Sequence, residues 1–186
     1  MTNEIEHCTD VILKGGLILY PTDTIWGIGC DVANNEAVSR IYTLKKRIES
    51  KSMICLISDL DMLKRYINAV PVKALEIIGQ TSRPTTIVYD NPVGLASNLL
   101  AEDGSVGIRL VKDGFSHELI KKLNHPIVST SANISGNPSP KAFKEIQKEI
   151  LTGVDYVVNL PDNSKESLPS KVIKISGDGE IHVLRA

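Results

Sequence analysis

Short apolar or β-branched runs recur along the chain at Leu17–Tyr20, Ile25–Val32, Met53–Ile57, Thr85–Tyr89, Val106–Leu110, Ile127–Thr130, Tyr156–Leu160, Val172–Ile175 and Ile181–Leu184. Each has the length and composition of a strand. Helical patterns lie between several of them, at Glu4–Lys14, Val72–Gly79, Phe115–Leu123 and Pro140–Leu151. In a further one Ala37, Val38, Ile41 and Leu44 share a face, and Asn34 or Asn35 can cap its start. Pro140 suits a first helical turn. Lys171–Ile175 and Glu180–Arg185, joined across Gly177-Asp178-Gly179, read as a hairpin. Other connections are long enough for the crossovers that parallel pairing requires. The pattern predicts an α/β fold, a mixed parallel and antiparallel sheet with helices packed on it. No repeat or long linker divides the chain, so residues 1–186 are read as one domain, with the polar, Pro-bounded stretch Asp162–Pro169 as a loop over one edge.

Composition narrows the function classes. The 186 residues are 42% apolar and 23% charged, close to a globular average, which excludes disordered and fibrous classes. Lys and Arg number 21 against 22 Asp and Glu, so nucleic acid is not held by bulk charge, although a local basic cleft is compatible with that balance. Aromatics at 4% argue against a base-stacking platform. Cys8, Cys30 and Cys55 form no C-x-x-C pair and read as reduced thiols of a cytosolic protein. The four histidines lie far apart, without zinc spacing. No apolar stretch near the start reaches the length of a membrane span or a signal-peptide core, so a cytoplasmic protein without a membrane partner is expected.

Familiar nucleotide motifs are missing. There is no G-x-x-x-x-G-K-[ST] loop, and the G-x-G at Gly27 and Gly29 has Val32 where the third glycine of a dinucleotide fingerprint would stand. No G-x-S-x-G elbow occurs.

Four segments remain. In Tyr20-Pro21-Thr22-Asp23-Thr24-Ile25-Trp26-Gly27, the small polar side chains either satisfy a local turn or face a pocket that the glycine leaves open to a ligand. Lys45-Lys46-Arg47-Ile48-Glu49-Ser50-Lys51 closes a predicted helix, where cations meet the negative end of the dipole. Lys45 and Arg47, two apart on a frayed turn, are alternatively a phosphate-binding pair. Ser129-Thr130-Ser131-Ala132-Asn133 ends a strand in hydroxyls and an amide, and Ser139 is placed to cap the helix predicted after it, whose N-terminus suits an anion. Arg109 ends the alternating strand Val106-Gly107-Ile108-Arg109, with either a structural carboxylate or a ligand carboxylate as its partner. Ser170-Lys171 and Arg185, taken alone, read as surface.

In this order and spacing, Tyr20-Pro21-Thr22-Asp23-Thr24, the K-x-R of Lys45 and Arg47, Lys51, Val106-Gly107-Ile108-Arg109, the S-x-N of Ser131 and Asn133, Pro169-Ser170 and Leu184-Arg185 resemble the YrdC family, the threonylcarbamoyl-adenylate synthases. The resemblance covers about residues 10 to 185. It implies a twisted mixed sheet with flanking helices around one concave basic cleft. It also implies a nucleotidyltransferase that joins L-threonine, bicarbonate and ATP into threonylcarbamoyl-AMP and pyrophosphate, for modification of tRNA by separate downstream proteins. Lys45, Arg47, Lys51, Ser105, Ser131, Asn133, Ser139 and Arg185 would then bind ATP. Thr24, Arg109, Ser129 and Lys171 would lie at threonine, with Arg109 forking its carboxylate. No side chain is assigned as a nucleophile or base, because positioning and charge neutralisation suffice for such a step. Magnesium would accompany ATP, with no protein ligand assigned to it.

Three positions depart from the family pattern: Ile48 for a proline, Leu56 for a histidine, and Lys171 for a small hydroxyl residue. The chain resembles the short members that lack an extra C-terminal domain. Two other readings compete with the synthase, an RNA-binding module holding tRNA or duplex RNA in the same cleft and a divergent, inactive paralogue.

Overall fold

The computed structural model describes residues 1–47, 53–160, 169–176 and 179–186. The elements run α1 (Thr2–Leu13), β1 (Ile18–Tyr20), β2 (Gly27–Gly29), α2 (Asn35–Lys45), β3 (Ile54–Ile57), α3 (Leu60–Tyr66), α4 (Val72–Gln80), β4 (Thr85–Tyr89), β5 (Val106–Leu110), α5 (Gly114–Leu123), β6 (Ile127–Ser131), α6 (Lys148–Gly153), β7 (Tyr156–Val157), β8 (Lys171–Ile175) and β9 (Ile181–Arg185). The nine strands found among the described residues make one open sheet in the order β7-β1-β2-β6-β3-β5-β4-β8-β9. Pairing is parallel at β1/β7, β3/β5 and β4/β8 and antiparallel elsewhere, so the expected mixed sheet is observed. The terminal hairpin is present as well, β8 against β9, with the Ser176 N–H on the Glu180 carbonyl.

Register explains where the core and the cleft fall. Val128, Cys55, Ile108, Ile87 and Ile173 are successive partners across β6, β3, β5, β4 and β8, and all five are buried. Because side chains alternate along a strand, the rows on either side of this one face the opposite way. One is Ser129, Ile54, Gly107, Val88 and Lys174; the other is Ile127, Leu56, Arg109, Thr86 and Val172. The apolar row joins the main core, in which α1 packs on α5, and α3 and α5 on β3. Cys8, Cys30 and Cys55 are free and buried, and burial pushes the Cys8 and Cys55 thiols up to about 12. Such thiols are inert.

Several predicted boundaries move. The run from Ile25 to Val32 keeps only Gly27–Gly29 as strand. A Cβ on Gly29 would lie 2.8 Å from both the Tyr20 ring and the Val128 carbonyl, so a glycine is needed where the strands close up. Tyr156–Leu160 shortens to Tyr156–Val157. No helix begins at Pro140: the segment holds a single 3-10 turn at Phe143–Glu145, and the helix is Lys148–Gly153. Helix α3, which the hydrophobic pattern did not reveal, is capped by Asp59, whose carboxylate accepts the Met62 N–H at 2.7 Å. The cap of α2 is Asn34, which accepts from Ala37. Of the predicted edge loop, residues 162–168 lie outside the described residues.

Candidate functional site

Ser129, Ile54, Gly107, Val88 and Lys174 of one outward row and Arg109 and Val172 of the other line a cleft of about 820 Å³. Gly107 keeps its floor low, since a Cβ there would meet Thr86 at 3.0 Å and Ile54 at 3.2 Å. Eight of the twelve residues expected at the site line the cleft: Thr24, Arg47, Ser105, Arg109, Ser129, Ser131, Ser139 and Arg185. Arg47, Arg109 and Ser131 come from α2's end, β5 and β6, so segments distant in the chain converge on one concavity.

Arg109 is buried at 3% exposure and has a partner in the protein. Its Nη2 donates to Asp23 Oδ1 at 2.7 Å, and its Nη1 to Thr24 Oγ1 at a long 3.4 Å. The structural carboxylate is therefore Asp23. Nε is buried without a hydrogen-bond partner. An orphaned buried donor costs about 1–3 kcal/mol and leaves the guanidinium fork half used. Burial raises Asp23 above the usual carboxylate range, and Arg109 opposes that rise. Thr22 secures the turn by donating to the Ile25 carbonyl and accepting the Thr24 N–H, so the turn reading and the pocket reading of this segment both hold.

Arg185 lies on the hairpin, where its Nε and Nη2 donate to the Ser170 carbonyl and Nη2 also to Ser170 Oγ. Burial, with Arg109 and Arg83 nearby, pushes its pKa below the usual value, and burial does the same to Arg47. Guanidiniums remain charged under such pressure, so a bound anion would relieve their mutual repulsion. The opposite wall is acidic. Glu102 and Asp103 line it, and Asp103 accepts from Ser105 and from Lys174, which also reaches Asp90.

Three expected residues among the described ones, Lys45, Asn133 and Lys171, do not line the cleft. Lys45 is 1% exposed, and its ammonium is spent on the backbone carbonyls of Ser131 and Asn133. Asn133 does not line the cleft, because its Nδ2 braces the following turn through the carbonyls of Ile134 and Asn137. Lys171 shares the core side of β8 with Ile173, while its neighbours Val172 and Lys174 line the cleft. Lys51 and Ile48 lie outside the described residues. Ser139 lines the cleft but caps no helix, since none begins there. Leu56, where relatives carry histidine, is buried beside Arg109 in register.

Sequence reasoning missed Ser170, which is buried and bonds Thr86 as well as Arg185. It also missed Lys174, the acidic wall, Trp26 and the role of Asp23. Alternation counted from Ile173 would have found Lys174, whereas nothing local marks Asp23 as the partner of a residue 86 positions away.

The open mixed α/β sheet and the end of α2 thus bring three guanidiniums among hydroxyls into one cleft, an arrangement suited to a small, multiply charged anion. The family model of the Sua5/YciO/YrdC domain, described as telomere recombination, matches residues 10–186, and the chain belongs to that family. A Methanocaldococcus jannaschii protein provisionally named threonylcarbamoyl-AMP synthase is 33% identical over 181 residues, covering 96% of this chain and 84% of that one. An Idiomarina loihiensis threonylcarbamoyl-AMP synthase is 27% identical over 150 residues, covering 79% and 81%. The crystal structure of P. abyssi Sua5 complexed with L-threonine superposes with a TM-score of 0.88 at 24% identity, covering 97% of this chain. This chain spans 53% of that longer one. Among the described residues, no helix is long and apolar enough to cross a membrane.

Proposed function

We propose that this protein is a threonylcarbamoyl-AMP synthase, making threonylcarbamoyl-AMP and pyrophosphate from L-threonine, bicarbonate and ATP in the cytoplasm. Family membership and the names of its relatives support the reading. The observation that carries it is the single cleft in which Arg47, Arg109 and Arg185 meet the hydroxyls of Thr24, Ser129, Ser131 and Ser139.

The chemistry asks little of side chains beyond placement. Bicarbonate takes up a proton and loses water to give carbon dioxide, to which the threonine amine adds with loss of a proton, giving a carbamate. A carbamate oxygen attacks the α-phosphorus of ATP, and the bond to the β-phosphate oxygen breaks, releasing pyrophosphate. Negative charge on the phosphates is what must be neutralised, and fixed cations in a concave site do this without reorganising. Arg47 and Arg185 would face the phosphates, with Ser131 and Ser139 donating to their oxygens. Arg109 would turn its guanidinium to the threonine carboxylate, with Thr24 and Ser129 beside it.

Among the described residues, no three His, Cys, Asp or Glu side chains gather as metal ligands, and Asp103 is already occupied by Ser105 and Lys174. The cleft thus fits magnesium carried on ATP oxygens rather than in a protein cage. Such an ion would screen the phosphate charge. Transfer of the threonylcarbamoyl group to tRNA would fall to separate proteins.

The test is pyrophosphate release from ATP, with threonine and bicarbonate each left out in turn. Release that requires both is expected. Equal ATP turnover with and without threonine would remove the proposal.

A further inference from the structure

The two paired motifs, Lys45 with Arg47 and Ser131 with Asn133, meet in the fold, but only half of each reaches the cleft. The cause lies at the end of α2. The Lys46 N–H bonds the Thr43 carbonyl and the Arg47 N–H the Tyr42 carbonyl, closing the helix over a left-handed Lys46 at φ 50°. This reversal separates two cations that stand two positions apart. Arg47 emerges into the cleft, and Lys45 is sent inward beneath the segment that follows β6.

There the Lys45 ammonium donates to the Ser131 carbonyl and, at 2.6 Å, to the Asn133 carbonyl. The Ser135 N–H returns a bond of 2.8 Å to the Lys45 carbonyl. Three bonds therefore fasten the helix end to residues 131–135, and Asn133 extends the brace to Asn137 at 2.7 Å. Carbonyls at a strand end have left the ladder and take other donors, the Ser131 carbonyl accepting the Asn133 N–H at 2.9 Å as well. Burial and the nearby Arg47 pull the Lys45 pKa down to about 7, and the amine keeps at least two N–H donors in either protonation state, enough to serve both carbonyls. Ser131 and Ser139, both lining the cleft, flank the braced stretch.

We propose that Lys45 is a positioning residue, one that holds the 131–135 backbone so that Ser131 and Ser139 face the cleft with Arg47, and that it does not touch the nucleotide. The proposal deepens the functional reading above and rests on it for the identity of the ligand. The paired motifs then divide into presenters, Arg47 and Ser131, and a clasp, Lys45 and Asn133.

The first measurement needs no ligand. Amide hydrogen exchange of residues 131–137 is expected to speed up about ten-fold or more in Lys45→Met. Unchanged exchange overturns the clasp. The second titrates a non-hydrolysable ATP analogue at several salt concentrations, followed by fluorescence of Trp26, the sole tryptophan and a cleft residue. Arg47→Ala is expected to flatten the salt dependence of Kd, because a screened ionic contact is gone. Lys45→Met is expected to weaken binding about ten-fold, as misplaced ligands do, with the wild-type salt slope retained. Unchanged affinity, or a slope flattened as in Arg47→Ala, overturns the proposal. Should Lys45→Met not fold, amine acetylation of the wild-type protein decides: Lys45 is expected to be unreactive with and without the analogue, and reactivity that the analogue blocks overturns the claim. A wild-type protein that binds no adenine nucleotide would defeat the functional reading, while hydrogen exchange still judges the clasp.

Discussion

The same five strands carry two faces with opposite tasks. On one, Val128, Cys55, Ile108, Ile87 and Ile173 form an uninterrupted apolar row. On the other, Ser129, Gly107, Lys174, Arg109 and Thr86 stand in the rows immediately beside it. Burial is deep on both, since Ile108 is 4% exposed and Arg109 next to it is 3% exposed. The energetics are nonetheless opposite. Burying Ile108 is favourable by about 1.5–3 kcal/mol. Burying Arg109 costs desolvation that its pair with Asp23 only partly offsets, because such pairs near break-even when compared with apolar packing. A fold under selection for stability alone would not place an arginine with an orphaned Nε there. The difference marks the polar face as the one kept for a ligand, and the apolar face as the one that holds the strands in register.

The largest effect that tests this division is on the apolar side. Ile108→Ala is expected to cost about 2–5 kcal/mol, read as a lower urea midpoint with an unchanged slope. The variant removes nothing from the cleft, so threonine affinity in the protein that remains folded is expected to match wild type. A midpoint that does not move would mean that the middle row is not the framework.

Next in size comes the residue beside it. Arg109→Gln keeps hydrogen-bonding capacity and removes the charge and the fork. A charge-assisted contact to a carboxylate is worth about 1.5–3 kcal/mol, so threonine binding is expected to weaken about ten-fold or more. Calorimetric titration with threonine in the presence of an ATP analogue measures it. The urea midpoint is expected to fall by an amount comparable with Ile108→Ala, because removing one partner of a buried pair leaves the Asp23 carboxylate uncompensated. Unaltered threonine affinity would take Arg109 out of the binding site and leave it a structural cation.

Both faces were partly legible in the sequence, for different reasons. Val106–Leu110 alternates and Thr85–Tyr89 is a β-branched and aromatic run, and the structure places both within the same boundaries. Alternation is a local signal, set by the two-residue repeat of an extended chain. The stretch after β6 was not legible, because its backbone bonds go to distant side chains. The Ile134 N–H donates to Gln147 and the Lys141 N–H to Glu145, so a segment with helical spacing forms only the 3-10 turn at Phe143–Glu145 before the helix at Lys148. The cleft shows the same split. Arg47, Ser131 and Arg109 could be picked out by residue type and spacing, and all three line it. That Lys45 would turn inward while Arg47 turned out depends on one backbone angle at Lys46, which no hydrophobic pattern encodes. Lys171 stands at a site position of the family pattern, but with Ile173 in the core row it is Lys174 that shares the cleft side of β8.

Lys46 makes, at a helix end, the choice between core and cleft that alternation makes along the strands. Its φ of 50° is a conformation that costs a residue with a Cβ about 1–2 kcal/mol. Lys46→Gly removes that strain but adds freedom to the unfolded chain worth about 0.4–1 kcal/mol, so a net gain of about 0.5–1 kcal/mol is expected. Lys46→Val should move the other way, because a branched Cβ fits the left-handed region poorly. Urea melts of the two variants beside wild type give the ordering Gly, Lys, Val from most to least stable. The Gly variant should also keep Arg47 in the cleft, so the salt dependence of nucleotide binding is expected to be unchanged. A Gly variant less stable than the Val variant would mean that α2 does not end in a left-handed turn, and that Lys45 and Arg47 are parted by something other than the backbone between them.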